Sequence, residues 1–335
     1  MCKAADNPAS ANPTAAARPF IGLLLPLEDP DFARPAAAVQ QGCQAALALA
    51  NGNPALEVLR SDATPARILS EYEAAVKRGA GAIVGPMIRS GVSALASSGV
   101  VSVPTLALSV PEGSGGLPAK MEVIGLSIES ESRSVARAAH AERLRTAVVV
   151  QAPGALAARA ARAFADQWMA LGGWISDAQP IGPRVDLKQL QLRISRSQAD
   201  LVFLAADAEH ARMVLPYLSI QVFATSQVND GRTDSRANFE LEGVRFVDVP
   251  WLLQPDHPAV MIYPRIESLD AELQRFYALG IDACRAASER LRRNGPFTLD
   301  GVTGRLVLKE GSQAEREPVQ AIFRAGVAVT FEPTQ

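Results

Sequence analysis

Aromatic side chains are scarce in this chain: Phe, Trp and Tyr make up 5% of 335 residues, although hydrophobic residues as a class reach 48%. Its interior must therefore be filled mainly by Ala, Val and Leu. An excess of basic charge is also missing. The 33 Lys and Arg face 35 Asp and Glu, for a formal charge of -2. With no long basic run, the footprint of a nucleic-acid binder is absent. No apolar stretch approaches the roughly 18–20 residues that a membrane-spanning helix needs.

The motifs of chemistry are lacking too. No G-x-G-x-x-G follows a strand, no G-x-x-x-x-G-K-[ST] loop is present, and there is no G-x-S-x-G elbow, so neither a nucleotide nor a serine nucleophile is indicated. His140, His210 and His257 are far apart and lack metal-ligand spacing. His140 and His210 fall on predicted helices among charged residues, where surface positions suffice. Nothing asks for catalysis, a metal or a cofactor.

Cysteine is limited to Cys2, Cys43 and Cys284, with no C-x-x-C spacing. Cys43 lies in a helical Ala/Leu run and Cys284 on the apolar stripe of a long helix. Both are expected to be buried, unpaired thiols that behave as small hydrophobes. Cys2 follows Met1 and precedes an Ala/Asn/Pro/Ser/Thr-rich segment, with no signal peptide ahead of it. It reads equally as the first residue of a mature lipoprotein behind an initiator Met, or as an arbitrary start.

The length suits two α/β lobes better than one core. Residues 19–25, Pro-Phe-Ile-Gly-Leu-Leu-Leu, form the unbroken apolar run of a parallel strand covered on both faces. A helix over 34–50, a strand over 55–60, a helix opened by Thr64-Pro65 and closed by Gly79, a strand over 81–84, a helix over 90–98 and a strand over 104–108 follow. Right-handed crossovers wind such a βαβαβαβ series into a parallel sheet. Beyond the loop at 112–118 and a strand at 123–126 the pattern restarts. Helices are predicted over 128–143, 155–171, 187–195 and 208–218, and strands over 146–150, 174–180, 200–205 and 222–226. Glu129 and Glu131 in the first turn of helix 128–143, and Arg143 in its last, suit the helix dipole.

The stretch 241–253, Leu-Glu-Gly-Val-Arg-Phe-Val-Asp-Val-Pro-Trp-Leu-Leu, reads as the last strand of the second lobe with an apolar exit. Pro250 and Trp251 are expected at a hinge where the chain crosses between lobes. A long helix over 268–293 and strands over 304–308, 319–323 and 327–331 complete the chain. The expected division is a tether over 1–18, lobe one over 19–126, lobe two over 127–252, a return to lobe one over 253–295, and lobe-two strands over 296–335.

In open α/β sheets ligands sit beyond the carboxyl ends of the strands, where hydroxyls and helix N-termini suit anions. The cleft candidates are Glu28 and Asp29, Arg89 and Ser90, and Ser109 in lobe one, with Asp207, Ser226 and Asp230 in lobe two. Caps and ordinary loop residues are the plainer reading of all eight.

Several stretches resemble the LppC/LpoA-type penicillin-binding protein activator lipoproteins, which have a type I periplasmic binding-protein fold. They are Gly-Leu-Leu-Leu-Pro-Leu at 22–27, Ile-Val-Gly-Pro at 83–86, Val-Pro-Thr-Leu-Ala-Leu at 103–108, Val-Phe-Leu-Ala-Ala at 202–206, Phe-Ala-Thr-Ser at 223–226, the 241–253 stretch, Tyr-Ala-Leu-Gly-Ile-Asp-Ala at 277–283 and Gly-Val-Thr-Gly-Arg-Leu at 301–306. The 241–253 and 277–283 segments are the specific ones. The resemblance implies two lobes joined by three crossovers, and a non-enzymatic periplasmic lipoprotein that stimulates a bifunctional penicillin-binding protein. It makes Cys2 a lipidation site, the only membrane attachment implied, and Lys3 after it suits outer-membrane sorting. The alternative is a solute-binding lipoprotein that captures a small polar ligand. Glu28-Asp29 stands where the family often has Ser-Gly, and two acids there would repel a ligand carboxylate.

Overall fold

The computed structural model describes residues 19–331, apart from 52, 114, 183–184 and 233–234. The tether over 1–18, with Cys2, lies outside the described residues. Lobe one begins with β1 (Phe20–Leu25), α1 (Ala33–Leu49), β2 (Leu56–Arg60), α2 (Pro65–Lys77), β3 (Ala80–Val84), α3 (Arg89–Ser97), β4 (Thr105–Ala107) and β5 (Met121–Val123). These strands make a parallel sheet in the order β2-β1-β3-β4-β5. Ile21, Leu23, Leu24 and Leu25 of β1 are essentially inaccessible, as expected for a strand with helices on both sides.

Lobe two follows with α4 (Ile128–Ala141), β6 (Thr146–Gln151), α5 (Ala155–Ala170), β7 (Trp174–Pro180), α6 (Leu187–Arg196), β8 (Leu201–Ala205), α7 (Ala208–Val214), β9 (Val222–Ala224), α8 (Ser235–Asn238) and β10 (Arg245–Asp248). The predicted helix over 208–218 is shorter because Pro216 tightens its end into a 3-10 turn, Leu215–Tyr217. The chain then forms α9 (Pro250–Leu253), α10 (Pro258–Met261), α11 (Ala271–Arg290), β11 (Phe297–Gly301), β12 (Gly304–Leu308), β13 (Glu315–Glu317), β14 (Val319–Arg324) and β15 (Val327–Thr330). Lobe two's sheet runs β15-β14-β10-β9-β8-β6-β7, and its two C-terminal strands pair antiparallel. The fold is two α/β lobes joined by three crossovers, with a parallel sheet in lobe one and, in lobe two, a sheet that is parallel from β7 to β10 and antiparallel at its β14–β15 edge.

Two expectations are corrected. The first is the assignment of 296–335 to lobe two. Only β14 and β15 join that sheet, whereas β11, β12 and β13 form a separate antiparallel sheet. Phe297, Leu299, Leu306 and Leu308 alternate inward and join the buried cluster of Tyr277, Cys284 and Ala287 on α11. The hairpin needed an apolar face, and α11 supplies one. Its turn is held by Asp282, whose carboxylate accepts the Val302 and Thr303 N–H groups at 3.0 and 2.8 Å.

The second correction concerns Cys43 and Cys284, which are not free thiols but a disulfide joining α1 to α11, with Cα atoms 5.2 Å apart. The bond is possible because glycine lets these helices approach closely. A Cβ on Gly42 would overlap the Tyr277 carbonyl oxygen, and one on Gly280 would overlap that of Val39.

Candidate functional site

The polar side chains collect where the lobes meet. The three crossovers pass side by side at Gly125–Ser127, Val249 and Pro318, and residues from all three line a cavity of about 20 Å³ together with Glu131, Asp248, Thr303 and Arg316. Arg316 reaches from β13 to the Ile124 carbonyl and the Thr303 hydroxyl, tying the third sheet to the first crossover. Burial pulls its guanidinium down to about 10, against the opposing pull of Asp282 and Glu131.

Beside the cavity, Asp248 at the end of β10 is 2% exposed and meets Arg275 of α11. Arg275 Nε donates to Asp248 Oδ1 at 2.8 Å and Nη2 to Oδ2 at 2.6 Å. The same Nη2 reaches the Ser226 and Asn229 carbonyls at 3.0 and 2.8 Å, and Asn229 Nδ2 donates to Asp248 at 2.8 Å. A buried ion pair survives desolvation only when its remaining hydrogen-bonding capacity is met, and here it is. Burial works against the charge on Arg275, but Asp248 outweighs it and raises the pKa.

Glu131, in the first turn of α4, accepts the Ser226 N–H at 3.0 Å. Burial and then the nearby Asp248 charge push its carboxyl up to about 7. The folded state therefore holds this proton more tightly than the unfolded chain. The resulting stabilisation is complete below about pH 4.5 and is lost as pH rises through about 7. Glu131→Gln mimics the protonated form. We expect its melting temperature to match wild type near pH 4.5 and to exceed it at pH 8, by an amount equivalent to about 1–3 kcal/mol. Thermal melts across that range check this, and a constant difference between the two proteins contradicts it.

Across the mouth of the junction, Arg89 at the start of α3 lies 3.8 Å from Glu129 of α4 and donates to the Pro111 carbonyl at 3.2 Å. Arg159 of α5 grips the same carboxylate at 2.7 and 3.0 Å. Burial opposes the Glu129 charge, but the Arg159 hydrogen bonds, backbone and Ser127 prevail and hold it at about 2. One lobe-two carboxylate thus bridges two arginines from different lobes.

The remaining predicted residues are dispersed. Glu28 is exposed and lies 3.7 Å from Arg60. Asp29 accepts the Asp31 N–H at 2.9 Å and leads into α1. Ser90 and Ser109 are half-buried after β3 and β4. Asp207 caps α7, accepting from the His210 backbone at 2.9 Å with the His210 ring 2.8 Å away. Desolvation opposes its charge, but those bonds to His210 lower its pKa. Asp230 pairs with Arg212 at 2.9 Å and Arg232 at 3.3 Å. Ser226 joins the junction network, its N–H donating to Glu131 and its carbonyl accepting from Arg275. Pro250 opens α9, where the chain leaves lobe two's sheet. Trp251 is inaccessible, its indole donating to Gln274 at 2.7 Å with Tyr277 at 5.2 Å and the Arg265 guanidinium 4.2 Å above the ring.

Sequence reasoning missed Glu129, Glu131, Asp248, Arg159 and Arg275 as site residues. The two glutamates passed as dipole-compensating acids. The available signal was Asp248 itself, an acid placed between the apolar Val247 and Val249.

A family model described as "LppC putative lipoprotein" matches residues 14–326. The penicillin-binding protein activator LpoA of Glaesserella parasuis is 26% identical over 290 residues, covering 84% of this chain and 50% of the relative. That of Haemophilus influenzae is 24% identical over 321 residues, covering 92% and 54%. The chain thus spans about half the length of the curated relatives it matches. The Haemophilus influenzae LpoA C-domain, described as a regulator of PBP1A, superposes with a TM-score of 0.76 at 23% identity, covering 93% of this chain and 100% of that one. A Chromobacterium violaceum structure described as "a putative branched-chain amino acid ABC transporter" gives 0.77 at 34% identity, covering 91% and 100%. On the match over residues 14–326, this chain belongs to the LppC lipoprotein family.

Proposed function

We propose that this chain is a non-enzymatic regulator of peptidoglycan synthesis that stimulates a bifunctional penicillin-binding protein by direct contact. Its membership of a family whose curated relatives are named penicillin-binding protein activators carries the reading. In this reading Cys2 is lipidated, and residues 1–18 tether the folded body to the periplasmic face of the outer membrane. The cleft chemistry is consistent with a protein contact. Glu129 is gripped by Arg159 and lies 3.8 Å from Arg89, so the charge that would anchor an anionic solute is partly offset from within, although Arg89 Nη1 is buried without a hydrogen-bond partner among the described residues. The test is glycan-strand synthesis by a purified class A penicillin-binding protein of the same organism. We expect the rate to rise in a saturable way with this protein; absence of both binding and stimulation sinks the reading.

One observation favours a second reading, a solute receptor: the 34% likeness to the Chromobacterium violaceum protein. In that case the interlobe cleft takes a small polar ligand, amino acid-like or peptide-like, near Arg89, Ser90, Ser109 and Ser226. A ligand at a hundred times its dissociation constant adds about 2.7 kcal/mol, a shift of a few degrees for a chain of this size. Thermal melts with free amino acids, short peptides and muropeptides are expected to stay unmoved by free amino acids. A clear shift with one of them transfers the assignment to the receptor reading.

A further inference from the structure

On the face of the hinge lies a groove of about 750 Å³, walled by α4 on one side and by β12 and β13 on the other. α4 turns Arg133 and Arg137 into it, one helical turn apart. Each guanidinium donates to the serine three residues before it, Arg133 to Ser130 at 3.1 Å and Arg137 to Ser134 at 2.9 Å. Among the described residues neither meets a carboxylate. Three other lobe-two arginines each meet a carboxylate: Arg159 with Glu129, Arg212 with Asp230, Arg245 with Glu142. The groove's own acids stand on the far wall and have other cations, Glu315 with Lys309 at 3.1 Å and Glu317 with Arg305 at 3.9 Å. Partial burial and the neighbouring Arg133 charge lower the pKa of Arg137, as expected of two like charges held together without a counterion.

We propose that this groove binds an acidic peptide segment of a partner protein, with Arg133 and Arg137 each gripping a carboxylate. Guanidinium forks match carboxylates bidentately. Residues four apart on a helix stand about 5–6 Å apart, a spacing that neighbouring acidic side chains of a peptide can meet. The volume exceeds what one small anion needs, and Ala138, Val247 and Val307 offer apolar contact beside the charges. Because α4 belongs to lobe two while the β12 wall packs on lobe one, a bound segment bridges the lobes across the third crossover. The proposal is independent of whether the cleft holds a solute or whether the chain activates a synthase.

The probe is fluorescein-labelled hexaglutamate, followed by anisotropy against the full chain at low ionic strength. We expect saturable binding that weakens with salt. The double variant R133Q/R137Q is expected to bind at least about tenfold more weakly, with an unchanged melting temperature. R133K/R137K keeps the charge but not the forks and is expected to fall between, so the outcome stays readable if the glutamine variant folds poorly. R162Q, on the exposed face of α5, is expected to bind as wild type. No binding of hexaglutamate, equal binding of hexaglutamine, or undiminished binding by R133Q/R137Q overturns the proposal. Displacement of hexaglutamate by inorganic phosphate at matched anion concentration, where sodium chloride of the same ionic strength has no effect, overturns the peptide assignment in favour of a small-oxyanion site.

Discussion

Replacing Arg275 with methionine is expected to cost about 3–5 kcal/mol in urea unfolding, among the largest effects of any single substitution in this chain. Among the described residues, the change leaves the buried Asp248 carboxylate with Asn229 and the Val249 N–H as its hydrogen-bond donors, and strips the Ser226 and Asn229 carbonyls of their shared donor. An unpaired buried charge costs more than the pair contributes. The double variant Asp248→Asn/Arg275→Met is therefore expected to recover part of the loss, since it removes the orphaned charge. The coupling from a double-mutant cycle is the quantity to measure. A single variant within about 1 kcal/mol of wild type would show that water reaches and satisfies this site. The same pair ties α11 to the ends of β9 and β10, so its loss loosens the junction of the lobes as well as the fold.

Opening the Cys43–Cys284 disulfide is the second large effect. The bond closes a loop with a sequence separation of 241 residues, for which chain-entropy arguments give about 5 kcal/mol as an upper figure. Cys43→Ala/Cys284→Ala, or reduction of the native protein, is expected to lower stability by about 2–5 kcal/mol, read as several degrees in melting temperature. The loss of packing is small, because Gly42 and Gly280 keep the helices in contact without the bond. Alkylation of the unfolded, unreduced protein should label neither Cys43 nor Cys284. Labelling of both, with a melt indifferent to reductant, would refute the bridge. An oxidising compartment is the natural setting for such a bond, in keeping with the periplasmic setting proposed above.

The limits of sequence reasoning are clear at these two places. Cys43 and Cys284 each looked like a small hydrophobe because each, on its own helix, is one. Their pairing depends on α1 and α11 crossing at Gly42 and Gly280, a contact between segments separated by most of the chain. The strand over 304–308 is predicted from its sequence but its partner β11 is not, and the alternation of Leu306 and Leu308 says only that one face is buried, not against which lobe. Trp251 divides the same way. The apolar exit after the strand is a local pattern, whereas the packing of its indole on Gln274 and Tyr277 of α11 joins separate stretches of the chain.

The cleft candidates show the same division in chemical terms. Position beyond a strand's carboxyl end is legible, because it follows from winding alone. Whether a charge there is free or spent is not, because its partner comes from elsewhere: Arg60 for Glu28, Arg212 for Asp230, Glu129 for Arg89. Glu131, Ser226, Asp248 and Arg275 come from four separate stretches, and no spacing rule links them.

The sequence by itself determined the two α/β lobes, the order of their elements and the family, since apolar periodicity, helix caps and short motifs are properties of neighbouring residues. Only the tertiary structure decided the disulfide, the lobe that receives the β11–β12 hairpin, the raised proton affinity of Glu131 and the two groove arginines, Arg133 and Arg137, that meet no carboxylate among the described residues. Each of these depends on distance and desolvation between segments far apart in the chain, and those quantities come into being only when the chain is folded.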